Sequence, residues 1–520
     1  MEGILSLPKI ETGPSSGISP DGVVLAWFLE ETKAKNSAAK GRDNFRPPRF
    51  LGRASPEIST LQERLNSSRH FTGKRNETSL LRYYRFGDRE NVLLVGLGAD
   101  STKDPETARQ AGAAVYLAQR REKLPTLGLQ LDSLFASGAE PAQEPVLQAF
   151  CEGYFLASYD FREWKNQDDA PFTPKGLVLE GRAASRRSVE KAATLAKAVN
   201  LARVLGDRPG NAATPSALAR EATELARRHG LRVEILGRKE IEKEKMGLLL
   251  GVARGSEEEP KLIVLEHRGG KKGSAPVVLV GKGVTFDSGG ISLKPPSQME
   301  DMKYDMMGAA SVLGILQGVA AMGLPINVVG IIPATENLPG GAAQKPGDIA
   351  RSLSGKTVEI VNTDAEGRLI LADALEYAQK HFKPQAILDF ATLTGAVVVA
   401  LGPLASGIMG TSPELIQRIK DASTRTGERV WELPLFEEYE EDLKSHYADI
   451  KNSGSRDAGS SKGGIFLKRF VDTAKYPWVH FDIAGTSYHR KDVNYHSSKF
   501  ASGAIVRLVI DLLEEWKPLH

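Results

Sequence analysis

From residue 188 onward, apolar residues follow two alternating periods. Ala192, Leu195, Ala198, Leu201 and Leu205 recur every three to four positions, the spacing that turns one face of a helix toward a core. Asp207-Arg208-Pro209-Gly210-Asn211 ends that run with turn-forming residues. Beyond it, short runs rich in Val, Ile and Leu at 261–266, 277–280, 326–332, 358–361, 386–390 and 479–483 predict strands. Helical spacing returns at 217–228, 308–322 and 369–380. Strand and helix in alternation predict an α/β fold with a mixed, largely parallel sheet and helices on both faces.

The first third of the chain is less regular. Residues 23–28 and 91–98 predict strands and 107–121 predict a helix. The polar stretch 160–173 reads as a boundary region. The pattern therefore predicts two α/β domains. A smaller one spans 1–182, a linker helix 183–206, and a larger domain 207–520. Gly96 and Gly98 end the 91–98 strand, but the third glycine and later acid of a dinucleotide fingerprint are missing.

Composition narrows the class only a little. Of 520 residues, 41% are hydrophobic and 26% charged, which fits a soluble globular chain. A net charge of +3 gives no case for a strongly basic nucleic-acid surface. Cys151 is the single cysteine, so no intrachain disulfide can form and a reducing compartment is the simpler expectation. No basic, apolar leader opens the chain and no apolar run approaches the roughly 20 residues of a membrane span. A cytoplasmic protein without membrane attachment is expected.

The chemistry concentrates at two predicted strand ends. After the 358–361 strand comes Asn362-Thr363-Asp364-Ala365-Glu366-Gly367-Arg368-Leu369, opening the helix of Leu371, Leu375, Ala378 and Phe382. Alone, Thr363-x-x-Glu366 fits a helix capping box. A second stretch changes that reading. Strand 277–280 runs into Gly281-Lys282-Gly283-Val284-Thr285-Phe286-Asp287-Ser288-Gly289-Gly290, with Lys294 and Asp305 following. Two strand ends of one sheet would then carry Asp287, Asp305, Asp364 and Glu366 with Lys282, Lys294 and Arg368. Close carboxylates repel and raise each other's pKa, and divalent ions such as Mg²⁺, Mn²⁺ or Zn²⁺ relieve the repulsion. None of the nine histidines lies in either stretch, and His480 and His489 are expected to be structural or surface residues.

These stretches, with Phe390-Ala391-Thr392-Leu393-Thr394-Gly395-Ala396 and Asp482-Ile483-Ala484-Gly485, resemble the signatures of the leucyl (cytosol) aminopeptidases, peptidase family M17. The resemblance covers roughly residues 190–515. It implies a two-metal aminopeptidase that removes leucine or a similar apolar residue from peptides, through a water bridging the ions. It implies Lys282, Asp287, Asp305 and Glu366 as ligands of the tighter ion. Asp287, Asp364 and Glu366 would hold the exchangeable one. It makes Lys294 and Arg368 the catalytic pair, with bicarbonate at Arg368, and lines the substrate pocket with Met302, Thr392, Gly395 and Ala484. It implies Mn²⁺ or Zn²⁺, with Mg²⁺ or Co²⁺ as substitutes, a homohexamer, and a macro-like N-terminal domain with an oligomeric or regulatory role. Met307 and Ser487 depart from the family pattern, and Met307 is expected to narrow or reshape the pocket next to the metal, which bears on the preference for leucine. An additional or sole DNA-binding role is the alternative, with 42–53, 119–123 and 182–191 as its basic stretches.

Overall fold

A computed structural model describes residues 6–12, 20–29, 48–49, 55–68, 70–87, 89–99, 104–134, 143–181 and 185–519. The chain divides into two compact units, 1–197 with 493–496, and 198–492 with 497–520. The long helix Arg186–Asp207 runs through the division between 197 and 198.

The first unit is built on a sheet ordered Lys9–Thr12, Gly176–Glu180, Thr126–Gln130, Val23–Leu29, Arg89–Ala99, Thr78–Phe86. All neighbours in that order are parallel except the last pair. Stretch 160–173 is not a boundary. The strand that follows it, Gly176–Glu180, pairs with Thr126–Gln130 inside this sheet. Polar composition there reflects solvent exposure of a connection rather than the end of a domain. Residues 493–496 also belong to this unit, where Asn494 Nδ2 donates to Gln110 O at 2.8 Å. A division into successive ranges did not anticipate that return.

In the second unit the centre of a nine-stranded sheet is four parallel strands, Asn327–Asn337, Val277–Gly281, Ala386–Ala391 and Trp478–Asp482. Antiparallel strands flank them: Lys261–Arg268 beside the first and Ser406–Gly410 beside the last. The central strands are buried on both faces, which explains their unbroken apolar character. One face carries the helix Gly367–Phe382, whose Leu369, Leu371 and Leu375 join Val278, Val280 and Ile387 in a single core with Phe466. On the other face lies the helix Met307–Ala321, close enough that a Cβ on Gly330 would meet Val312 and Leu316.

The strand predicted at 358–361 is a correction. It is only Thr357–Glu359, and it belongs to a separate three-stranded sheet with Ile349–Arg351 and Ile450–Lys451. Val361 N and Asn362 N instead donate to Asn452 Oδ1, at 2.9 and 3.3 Å. β-branched residues favour an extended backbone but do not choose which sheet it joins.

Asp373 ties the helix that begins at Gly367 to its surroundings. Its buried carboxylate accepts from Leu248 N and Leu249 N at 2.9 and 3.0 Å, and from Leu353 N at 2.9 Å. Asp373→Ala strands two buried donors and a half-buried one, at about 1–3 kcal/mol for each buried donor, so thermal denaturation should show a loss of about 4 kcal/mol. Burial pushes the Asp373 carboxyl up to about 8, against the pull of those three N–H groups. A carboxyl raised on folding stabilises the fold at low pH and loses that contribution as pH rises through its folded value. Stability should therefore fall between about pH 4 and 8 in the wild type, and this component should be missing in Asp373→Asn.

Candidate active site

Lys282 occupies the single position between two strands, Val277–Gly281 and Gly283–Asp287. Its N–H donates to Phe390 O at 2.9 Å, and its carbonyl accepts from Ala309 N at 2.8 Å. Asp287 ends the second of those strands. Asp305 lies in the 3₁₀ turn Met299–Met306 that leads into Met307–Ala321. Asp364 and Glu366 sit in the turn that opens Gly367–Phe382. Three segments, 277–287, 299–306 and 362–367, thus converge near the C-terminal ends of parallel strands, where open α/β sheets place ligands.

The structure brings the predicted ligands together. The Lys282 ammonium is 2.7 Å from Asp305, 2.9 Å from Glu366 Oε1, and donates to Thr392 O at 3.0 Å. Lys294 Nζ is 2.8 Å from Asp287 Oδ2 and 2.5 Å from Asp364 Oδ1. Carboxylate oxygens of Asp287, Asp364 and Glu366 lie within 4.8 Å of one another. Backbone shape permits this crowding. A Cβ on Gly367 would lie 2.5 Å from Lys282 Cε, so the lysine stem crosses the helix start only because no side chain is there. Gly289 has φ +86°, and a Cβ there would meet Asp364 Oδ1 at 2.7 Å.

Electrostatics follow from burial. It lifts Asp305, Glu366 and Asp364 above ordinary carboxylate values, and neighbouring acids add to the rise. Burial pulls Lys282 down, but Asp305, Glu366 and Asp287 outweigh it and hold the ammonium protonated. Lys294 is held up in the same way by Asp287, Glu366 and Asp364. Acids that crowd at the cost of raised pKa values are what divalent ions would neutralise. Glu366 Oε2, buried without a hydrogen-bond partner, is a free acceptor aimed at that need. The residues therefore fit a cluster of divalent ions, with the carboxylates as hard donors.

Arg368 is buried in the first turn of its helix. Its Nη1 donates to Asn452 O at 2.9 Å, while Nε has no partner. Burial pulls its pKa below the usual guanidinium value, against Glu366 and Asp482.

The capping-box reading of Thr363 fails. Its hydroxyl donates to Gly289 O at 2.6 Å and accepts from Ser292 N at 2.8 Å, and the helix starts at Glu366 without a side-chain cap. Thr363 therefore pins the two acid-bearing stretches to each other. Of the predicted pocket residues, Thr392 reaches the cluster, donating to Asp305 Oδ1 at 2.7 Å. Met302 is half-buried on the 3₁₀ turn, Ala484 is half-buried after the Trp478–Asp482 strand, and Gly395 is exposed at the start of Gly395–Leu401. Met307 is fully buried, with its sulfur 2.2 Å from where a Gly206 Cβ would stand. Its sulfur packs over Gly206. Ser487 is also buried, donating to Ile483 O at 2.7 Å.

Residues outside the motifs complete the site. Asn337 Nδ2 donates to Asp287 Oδ1 at 2.8 Å and Thr363 O at 3.0 Å. Asn452 Nδ2 donates to Asn362 O at 2.6 Å, and its carbonyl receives Arg368. For Asn337 the available signal was a polar run, Thr335-Glu336-Asn337, at the end of an apolar strand. No local pattern marked Asn452. His480 is structural, as expected, fully buried with Nδ1 2.5 Å from Asp389 Oδ1.

Among the described residues of the basic stretches, three arginines are paired with acids. Arg120 pairs with Asp160 at 2.9 Å, Arg121 with Glu122 at 3.0 Å, and Arg186 with Glu190 at 2.8 Å. Apart from Pro48–Arg49, stretch 42–53 lies outside the described residues, as does 182–184. Among the described residues, no helix is long and apolar enough to cross a membrane.

Acids, lysines and a buried arginine at the strand ends of a two-unit α/β chain make a carboxylate-rich site that suits divalent ions, and matches to known proteins make the chain a metallo-aminopeptidase. The chain belongs to the cytosol aminopeptidase family. The family's catalytic domain matches residues 200–510, and its N-terminal domain matches 51–168. A probable cytosol aminopeptidase of Geobacter sp. (strain M21) is 47% identical over 455 residues, covering 86% of this chain and 91% of that protein. One from Geotalea uraniireducens (strain Rf4) is 46% identical over 481 residues, covering 91% and 95%. Among solved structures, the bottromycin maturation enzyme BotP in complex with Mn superposes with a TM-score of 0.80 at 32% identity, covering 95% of this chain and 99% of that one.

Proposed function

We propose that this aminopeptidase uses two divalent ions per subunit to release leucine or a similar apolar residue from the amino end of peptides. The observation that carries the reading is the convergence of Asp287, Asp364 and Glu366 within 4.8 Å, with Asp305 and Lys282 against them. Lys282, Asp287, Asp305 and Glu366 would hold the tighter ion, and Asp287, Asp364 and Glu366 the exchangeable one. Bound there, the ions would supply Lewis-acid polarisation of the scissile carbonyl and a bridging water that ionises near neutral pH. Mn²⁺ is favoured by the manganese complex of BotP, with Zn²⁺, Mg²⁺ and Co²⁺ as the other candidates.

The chain's own groups do the rest. Lys294, an ammonium among acids, donates to the oxyanion that develops on the substrate. Arg368 holds a small anion such as bicarbonate. Its unpartnered Nε supplies a donor, and a guanidinium is too basic to take the proton itself. Met302, Thr392, Gly395 and Ala484 contact the first side chain of the substrate. Their small or apolar groups suit leucine. A cytoplasmic homohexamer completes the reading, and light scattering coupled to size exclusion checks the assembly.

The test is hydrolysis of leucinamide and other aminoacyl amides by metal-stripped protein, with Mn²⁺, Zn²⁺, Mg²⁺ or Co²⁺ returned one at a time. Stripping should abolish turnover, at least one ion should restore it, and leucinamide should be cut fastest. Full activity in the stripped protein would refute the metal assignment.

A further inference from the structure

We propose that Asp482 is a positioning residue for Lys282 and Asp305, acting through the segment 392–394. The proposal rests on the metal reading above. Asp482 closes the buried strand Trp478–Asp482 and stands beside Ala391 on the neighbouring parallel strand. Its carboxylate serves three donors beyond that strand end. Oδ1 accepts from Leu393 N at 3.1 Å and from Ala484 N at 3.3 Å, and Oδ2 accepts from Thr394 Oγ1 at 2.6 Å. Thr394 Oγ1 also lies 3.0 Å from Ser460 Oγ. One fully buried side chain thus clamps the residues that follow Thr392 and the start of the 484 turn.

Thr392 is where that clamp meets the ions' ligands. Its carbonyl accepts from Lys282 Nζ at 3.0 Å, and its hydroxyl donates to Asp305 Oδ1 at 2.7 Å. A lysine ligates only as a neutral amine with a lone pair turned toward the ion. Of its remaining N–H groups, the one held by Thr392 O sets the rotation of that amine. The Thr392 hydroxyl likewise sets which face of Asp305 is presented. Groups that orient ligands in this way are worth about 10–100-fold in metal affinity.

Mn²⁺ binding to the metal-stripped full-length chain, measured by calorimetry, tests this. Asp482→Ala and Thr392→Val should each weaken the tighter site about 10–100-fold, with the metal-free thermal midpoint of Thr392→Val unchanged. Thr392→Ser keeps both contacts and should stay within about threefold of wild type. Asp482→Asn keeps an acceptor for Leu393 N and should fall between wild type and alanine. The exchangeable site, whose ligands Thr392 does not touch, should keep its affinity in every variant. If Asp482→Ala does not fold, Asp482→Asn and Thr392→Val decide. Wild-type affinity in Asp482→Asn and Thr392→Val, or equal weakening of both sites, overturns the proposal. A wild-type chain that binds no Mn²⁺ sinks the metal reading itself, whereas unchanged variants sink only this one.

Discussion

Replacing Asp364 by alanine should remove aminopeptidase turnover and leave the fold standing. The side chain is about a third exposed and belongs to no apolar core. Its structural contact is the ion pair with Lys294, and such partly exposed pairs contribute about 1 kcal/mol or less. On the proposed reading the same carboxylate would be a ligand of the exchangeable ion and a counter-charge to the lysine that faces the substrate. Losing both should lower kcat/KM by about 10³-fold or more, roughly 4 kcal/mol of transition-state stabilisation. Initial rates on leucinamide and a thermal melt on the same preparation check the two halves together. Wild-type rates would contradict the ligand assignment, and a collapsed melting point would show that Asp364 supports the fold.

Ion affinity should rise steeply with pH. In the metal-free chain Asp305, Glu366 and Asp287 outweigh burial and hold the pKa of the Lys282 ammonium above its ordinary lysine value. Ligation by this residue must therefore expel a proton throughout pH 6–8. The sign is then set: lower pH favours the metal-free state. One proton released per ion corresponds to about tenfold in affinity per pH unit. Asp305 and Glu366, themselves raised by burial, steepen the slope at the acid end. Calorimetry with Mn²⁺ in buffers of different ionisation heat counts the protons directly. A dissociation constant that stays flat from pH 6 to 8 would remove Lys282 from the ligand set and leave it as a salt bridge.

Lys282 shows why some of this chemistry is legible in a sequence and some is not. Its burial against Asp305 and Glu366 looks like an ordinary ion pair when no ion is considered. Only the company of Asp287, Asp364 and Glu366 makes it a candidate ligand. The eight-residue run from Asn362 to Leu369 carried the acids and the arginine in order, because neighbours on one turn must share a local geometry. Helix 369–380 and the central strands were equally readable, since apolar periodicity reports a buried face wherever it occurs. Strand 358–361 misled for the converse reason. Its residues favour an extended backbone, and the partner that takes Val361 away, Asn452, lies 91 positions later.

What the linear chain determined by itself is the α/β alternation, the two acid-bearing stretches and the residue types that suit divalent ions. Spacing and chemistry of that kind are local properties. Tertiary structure alone decided that Thr363 bridges the two stretches instead of capping a helix, that Asn337 bonds Asp287, that Asn452 receives Arg368, that Asp482 fastens the residues after Thr392, and that Met307 faces the core. Hydrogen-bond partners drawn from strands and turns far apart in the chain are chosen by packing, and no local pattern encodes that choice.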